Sequence, residues 1–584
     1  MSALTSILSA RLDTAIVTAF GEEHRGTPPL LHRSSHADMQ ADVALGLGKK
    51  LGMPPRAVAE RLLAVADLSG IVQKAEIAGP GFINLTIASD WLAGAVREMA
   101  SSPKLGIEPT TAETVIIDYS SPNVAKEMHV GHIRSTLIGD ALARVLEFVG
   151  HKVIRQNHLG DWGTPFGMLI EHLVDTAGSE ESALKLVDRG DDIVRDLDGF
   201  YRAARAKFDA DPAFADRSRS RVVALQRGDA HTLALWRVLV DVSTGYFGRI
   251  YERLGVRLRP EDVCGESFFN PKLPVVVSEL KKKGLLEQSE GAECAFPPGF
   301  TGKEGAPLPL IVSKKDGGFG YAATDLAAVW HRTETLGATR ILYVVGAPQQ
   351  QHLAMVFAVA AQAGWLPANA RATHVAFGSI LGPDKKMFKT REGGTVKLSD
   401  LLDEALTRAL AILDEKAPEH LDAAARRDVA RMVGIGALKY VDLSSDRVKD
   451  YVFDWNRMLA FDGNTAPYLQ FAHARTRSIL RKAGGAAPAS SELALGTSEE
   501  HALGLALLGF GDAVVGVADT LQPHRLCTYL YELAVATTTF LENCPVLKAE
   551  TDGLRASRLR LAEIAGNVLA AGLDLLGIEA PQVM

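Results

Sequence analysis

Apolar positions recur at helical spacing from Leu4 to Phe20 and again through Ala41 to Ala66. Between residues 75 and 85 the pattern changes to two strand-like runs that meet at Gly79-Pro80-Gly81, a turn signal. The polar segment 101–113, carrying Pro103 and Pro109, reads as a linker, so residues 1–105 are expected to form a separate α+β domain. Val115 to Tyr119 is a short apolar, β-branched run, the pattern of a buried strand. A loop follows, and then Ile133, Leu137, Ile138, Ala141, Leu142, Val145, Leu146 and Val149 keep helical spacing. Gly150 stands where a helix end calls for positive φ, and Val153 and Ile154 restart a strand. Strand, loop, helix and strand together predict a βαβ crossover.

Beyond Leu173 the chain becomes strongly charged over 178–230, which predicts a solvated helical insertion spanning about 175–305. Strand-like residues return at Leu308 to Ser313, followed by a turn at Lys315-Asp316-Gly317-Gly318 and a helix over Ala323 to Arg332. Ile341 to Val345 reads as strand, His352 to Ala363 as helix and Ala372 to Ile380 as strand. Alternation of this kind predicts a Rossmann-type, parallel, doubly wound sheet within 106–445, interrupted by the insertion. From Asp400 onward the pattern is almost wholly helical, with Leu401, Leu402, Ala405, Leu406, Ala409 and Leu413 on one face. Residues 446–584 are expected to form an all-α domain, with a loop over 483–500.

Composition narrows this picture modestly. The chain has 584 residues, 47% apolar and 23% charged, as in globular proteins that do not enter membranes. No run of about 18 uninterrupted apolar residues occurs, so no membrane association is expected. The first helix carries Arg11 and Asp13 and does not resemble a secretory signal. The four cysteines form no CxxC pair, which suggests neither a metal site nor a disulfide framework and fits a reducing cytoplasm. A net charge of −7 argues against nucleic-acid binding over the whole surface, while a local basic track remains compatible with it.

Two stretches carry candidate chemistry. His129-Val130-Gly131-His132 falls at the start of the crossover helix, where unpaired N–H groups and the macrodipole attract phosphate. Two imidazoles around a glycine suit a triphosphate gripped from one side; a metal pair or a surface coincidence is the alternative. Lys385, Lys386, Lys389 and Arg391 put four cations in seven residues after a late strand. They suit either a solvated turn or a loop that closes over phosphates.

The combination Ser120-Ser121-Pro122-Asn123-Val124-Ala125-Lys126-Glu127-Met128-His129-Val130-Gly131-His132-Ile133-Arg134-Ser135-Thr136, followed by Gly160-Asp161-Trp162-Gly163, resembles the signature region of the arginyl-tRNA synthetases. These are class I aminoacyl-tRNA synthetases. His129 to His132 matches the HIGH motif, and Lys386-Met387-Phe388-Lys389-Thr390 matches KMSKS in a variant form with Phe388 and Thr390 in place of serines. The resemblance extends over the whole chain, from Gly79–Asn84 through Phe200–Ala224 and Asn464–Arg477 to Gly577–Pro581.

The resemblance implies a ligase that activates L-arginine with ATP, brought with Mg2+, and passes the arginyl group to the terminal adenosine of tRNA(Arg). It implies a monomer, no structural metal, and a requirement for tRNA even in the activation step. It assigns His129, Gly131, His132 and Lys389 to ATP, with Lys386 assisting pyrophosphate departure. Lys126, three residues before the first histidine, would share the phosphate load with Lys389. Arginine would be held by Asp118, Ser121, Asn123, His132, Tyr321, Asp325 and Gln349, with Asp325 facing the guanidinium, whose N–H groups are all donors. Tyr321 lies four residues before Asp325, hence on the same face of a helix. The C-terminal helices would read the anticodon with groups among Tyr468, Phe471, His473, Arg475, Arg477, Arg481 and Lys482, and the N-terminal domain would touch the tRNA elbow. A cysteine or glutamate synthetase fits less well, since zinc-ligand cysteines are missing and Asp325 is an acid. A silent RNA-binding relative is disfavoured by the retention of both histidines and both lysines.

Overall fold

The computed structural model describes residues 3–34, 36–185, 197–302, 305–315, 317–388, 396–416 and 421–584. The chain divides into two compact units. One gathers Met1–Pro109, Pro418–Gly436 and Leu459–Met584; the other comprises Thr110–Ala417 and Ala437–Met458.

The second unit is built on a four-stranded parallel sheet in the order Arg371–His374, Arg340–Tyr343, Thr114–Asp118, Lys152–Gln156. Val115, Ile116 and Ile117 are wholly buried, as expected of a strand covered on both faces. The first strand runs through a loop into the helix Val130–Phe148, which returns to Lys152–Gln156. Every residue from Ile133 to Leu146 in this helix is buried. Its polar members are therefore paired: Arg134 with Asp442 at 3.1 Å and Arg144 with Asp140 at 2.7 Å.

The chain winds one way from Thr114–Asp118 to Lys152–Gln156, and Arg340–Tyr343 joins on the opposite side. The winding thus reverses between Thr114–Asp118 and Arg340–Tyr343, and the crevice lies beyond their carboxyl ends at Asp118 and Tyr343. That is where doubly wound sheets place ligands.

Several elements differ from the sequence expectation. Leu310–Ser313 is a strand, but it belongs to a separate antiparallel sheet with Glu287–Ser289 and Ala292–Ala295. The strand expected over Ala372 to Ile380 stops at His374, whose ring bonds the Val345 carbonyl. Ile380–Leu381 then pairs with Tyr451–Val452 instead. The helix expected from Ala323 starts at Tyr321 and gives way after Trp330 to a π-helical turn, His331–Thr335, which carries Arg332 into the interior. Lys315 and Gly317 are described in the expected turn; Asp316 lies outside the described residues. Part of the expected helical insertion, 186–196, also lies outside them.

In the first unit, the long helix expected over Ala41 to Ala66 is two helices, Val43–Leu51 and Pro55–Val65, separated by Gly52-Met53-Pro54. The Gly79–Gly81 turn joins Val72–Ala78 to Phe82–Ile87 in a four-stranded antiparallel sheet. The remaining helices form a bundle. Its Ser498–Thr520 stretch, at mean hydropathy 1.6, is long and apolar enough to cross a membrane by length and composition. It is two helices, Ser498–Leu508 and Phe510–Thr520, whose Leu503, Leu507, Phe510, Val514 and Val517 are wholly buried inside the bundle. Helix Ala466–Lys482 turns His473 inward to the Pro581 carbonyl and pairs Arg475 with Glu542, whereas Phe471 is exposed.

Candidate active site

The loop between Asp118 and Val130 is under backbone strain. Ser120, Ser121 and Ala125 have φ of 71°, 48° and 61°, the left-handed region that costs a side-chain-bearing residue about 1–3 kcal/mol each. The surrounding hydrogen bonds hold it there. Ser120 N–H donates to Ser135 Oγ at 2.9 Å, Ser121 N–H to Asn157 Oδ1 at 3.0 Å, and Ala125 N–H to Ser243 Oγ at 3.0 Å. Thr136 Oγ1 donates to Ser120 Oγ at 2.9 Å. Ser135 and Thr136 of the signature thus brace the loop.

Gly160 N–H and O bond Pro122 O and Val124 N, so the Gly160-Asp161-Trp162 segment runs beside the loop. A Cβ on Gly160 would stand 2.1 Å from Asn123 Oδ1, so a larger residue there would displace the Asn123 side chain from its present position. Asp161 accepts from Ser267 N–H at 2.8 Å and Ser267 Oγ at 2.6 Å, which caps the short helix Glu266–Phe269.

At the start of Val130–Phe148 the two histidines cap the helix. His129 Nδ1 accepts from Gly131 N–H at 3.0 Å, and His132 Nδ1 accepts from His129 N–H at 3.1 Å. The rings lie 4.0 Å apart. Burial pushes His132 down to about 3, with His129 and Lys126 adding to the shift. Burial also lowers His129, opposed by Asp198 and reinforced by Lys126. Both imidazoles are therefore neutral near pH 7. With each Nδ1 occupied as an acceptor, the proton sits on Nε2 and both rings present an Nε2–H donor. A Cβ on Gly131 would come within 2.8 Å of the His129 ring, so the cap itself needs the glycine between the histidines.

The chain that follows the second motif, from Val396 onward, is tied to this loop. Val396 O accepts from Val130 N at 3.0 Å, Leu398 N donates to Met128 O at 2.8 Å, and Lys397 pairs with Glu127 at 2.6 Å. Lys386 is exposed on a turn in which Gly382 N bonds Lys386 O and Phe388 N bonds Ile380 O. Phe388 stacks on Phe453 at 4.7 Å, which gives the departure from serine a packing role. Lys389 lies outside the described residues, which resume at Val396.

Asp118, expected among the arginine ligands, is engaged within the protein. It is 5% exposed, accepts from buried Arg332 at 2.6 Å and from Ser121 Oγ at 3.0 Å, and so ties two partners to the strand end. Ser121 and Asn123 remain at the crevice, half-buried and exposed respectively. Tyr321 opens its helix and is 77% exposed, one turn before Asp325. Asp325 accepts from His352 Nε2 at 2.5 Å, a bond that raises His352 above its ordinary range. Gln349 is exposed in the 3-10 turn Ala347–Gln349 that leaves the Arg340–Tyr343 strand.

Glu266, half-buried, was not among the sequence candidates. Its helix packs on Tyr321–Trp330, and burial, with the charges of Asp161 and Asp325 behind it, pushes it up to about 7. No motif marks the segment; the only available signal was that the Asp161 side chain must cap something. A carboxylate in such a setting can accept from a planar cation with several N–H donors.

The sequence profile described as the class I (R) tRNA synthetase catalytic domain matches residues 96–455. The profile of the arginyl-tRNA synthetase N-terminal domain matches 4–87, and that of the DALR anticodon-binding domain matches 469–584. The chain is 53% identical over 581 residues to an arginine–tRNA ligase of Thermobifida fusca, covering 99% of both chains. It is 47% identical over 589 residues to that of Erwinia tasmaniensis, covering all of both. Among solved structures, the arginyl-tRNA synthetases of Plasmodium falciparum and Thermus thermophilus superpose with TM-scores of 0.86 and 0.79 over the full length of each, both at 27% identity. With profiles over all three segments and relatives matched end to end, the chain belongs to the arginyl-tRNA synthetase family.

Proposed function

We propose that the arginine–tRNA ligase reaction runs in the crevice beyond Asp118 and Tyr343, with ATP on the histidine side and arginine on the Asp325 side. The observation that carries this reading is the double cap of the signature helix, which leaves two fixed Nε2–H donors on neutral rings. Neutral donors bond phosphate oxygens without a proton changing hands. In the first step the arginine carboxylate attacks the α-phosphate of ATP and pyrophosphate leaves. His129 and His132 donate to oxygens on which charge builds, and Lys126, Lys386 and Lys389 neutralise the departing group. In the second step the ribose hydroxyl of the terminal adenosine takes the arginyl group and AMP leaves.

The guanidinium lies between Asp325 and Glu266, with the Tyr321 ring beside it and Gln349 at the rim. Ser121 Oγ has committed its proton to Asp118, so it offers a lone pair to the α-ammonium, with Asn123 alongside. Asp118 acts through Ser121. Mg2+ enters with ATP and supplies charge neutralisation on the phosphates; the chain's contribution there is N–H donors. Among the described residues no group of three or more His, Cys, Asp or Glu is placed to hold a metal ion. The bundle containing Phe471, Arg475 and Arg481 is the reading head for the anticodon of tRNA(Arg), and residues 1–105 meet the elbow. The enzyme acts as a monomer in the cytoplasm, a placement supported by four buried cysteines that are all free thiols.

ATP–pyrophosphate exchange tests the assignment. With arginine and tRNA(Arg) together, exchange is expected to be robust; without tRNA, near zero. Full exchange without tRNA, or exchange supported by glutamate in place of arginine, would overturn the placement.

A pH dependence follows from Glu266. With its folded-state value near 7, the group is charged above that pH and neutral below it. Arginine binding needs the charged form, so kcat/KM for arginine falls as the pH drops through 7. The expected loss at pH 6 relative to pH 8 is about tenfold. Glu266→Gln should lower the plateau and remove this inflection, leaving only the shallower dependence from His352. An unchanged profile in the variant would exclude Glu266.

A further inference from the structure

The helix Leu197–Ala210 of the insertion reaches the signature loop at two consecutive residues. Asp198 Oδ1 accepts from Glu127 N–H at 2.9 Å, and Lys126 Nζ lies 4.4 Å from the centroid of the Tyr201 ring. The helix is itself anchored, because Phe200 packs against His172 on Pro165–Ala177 with ring centroids 4.7 Å apart. Lys126 follows Ala125, one of the strained residues, which is pinned from a second insertion helix through Ser243 Oγ at 3.0 Å. A lysine side chain has four rotatable carbons and is otherwise free to swing into solvent. Here its ammonium rests on a half-buried ring while its charge acts on both His129 and His132, so it stands near the pair.

We propose that Tyr201 is a positioning residue for ATP: the face of its ring holds the Lys126 ammonium beside the His129–His132 donors, making the insertion a working part of the phosphate site. The mechanism is a cation–π contact in a partly desolvated setting, which restrains the lysine without competing for its three N–H donors. Asp198 sets the height of the helix by fixing the Glu127 amide. The proposal rests on the reading of Lys126 as a phosphate ligand.

The test is ATP–pyrophosphate exchange with arginine and tRNA(Arg), reading kcat and KM for each substrate. Tyr201→Phe keeps the ring and should match the parent enzyme. Tyr201→Leu should lose roughly tenfold in kcat/KM for ATP with KM for arginine unchanged. Lys126→Ala should be impaired at least as much, and the double variant no worse than Lys126→Ala alone. To separate ring electronics from packing, phenylalanines carrying one, two and three fluorines at position 201 weaken the ring face at nearly constant shape. A stepwise fall in kcat/KM for ATP supports the proposal; a flat series overturns it even if Tyr201→Leu fails to fold. Additive losses in the double variant also overturn it. If Lys126→Ala is impaired while Tyr201→Leu is not, only the positioning role falls. If Lys126→Ala is unimpaired, the phosphate role of Lys126 falls and this inference with it.

Discussion

Asp325→Asn is expected to raise the KM for arginine by roughly 10- to 100-fold while the KM for ATP stays within about twofold. The substitution keeps the shape of the side chain and its bond to His352, since the amide oxygen still accepts from Nε2. What it removes is the charge, and an amide N–H2 turned toward the guanidinium sets donor against donor. The loss should therefore fall on arginine alone. A second readout distinguishes this from general damage: His352, raised by its bond to the carboxylate, should return toward its ordinary range, observable by NMR titration. Equal losses for arginine and ATP, or an unmoved His352, would sink the assignment of Asp325 to the guanidinium.

The same pocket shows what the sequence could and could not reveal. Asp325 and Tyr321 were singled out by the family resemblance; their four-residue spacing added only that a helix would put them on one face, and both do lie on the helix Tyr321–Trp330. The crossover helix was legible from the residues themselves: its apolar period is unbroken from Ile133 to Val149. Glu266 was not, because its position depends on Asp161 capping a four-residue helix more than 100 positions downstream. Arg332 was hidden by a π-helical turn, since a period of 3.6 misplaces whatever follows it. With Arg332 out of sight, so was the ion pair that engages Asp118. The strand at Leu310–Ser313 was visible as a strand, but its partners were not. Four apolar residues carry no record of whether they join a parallel sheet or an antiparallel one.

The variant second motif is a case where packing explains a departure. Phe388 interrupts the expected serine, and its ring is stacked on Phe453, which meets Trp455 edge-on. The described turn that carries Lys386 is thus held by an aromatic cluster, in addition to the backbone bonds that close it. The signature loop is tethered separately at Val396 and Lys397. These two anchors bracket the lysine-bearing segment.

His132→Asn is the second large effect. Asparagine can keep the backbone cap, its oxygen accepting from the His129 N–H as Nδ1 does, so helix and loop should survive and the melting temperature should change little. The Nε2–H donor, however, is lost, and the shorter side chain leaves a gap on the phosphate side. Removal of one preorganised donor to a developing oxyanion costs about 10²–10³ in kcat. The expected loss is therefore in the rate of adenylate formation in single-turnover assays, with a smaller change in the KM for ATP, because the donor acts chiefly as charge builds on the phosphate. The pH profile gives an independent check. With His132 held down to about 3 by burial, the parent enzyme should show no inflection from this ring between pH 5 and 8. The sign is that of a depressed base: its neutral, donating form is complete well above pH 3 and is lost only on acidification toward that value. An unimpaired variant would break the link between the capped histidine pair and phosphate chemistry. An acid limb near pH 6 in the parent, abolished by His132→Asn, would show that the ring works as a cation instead.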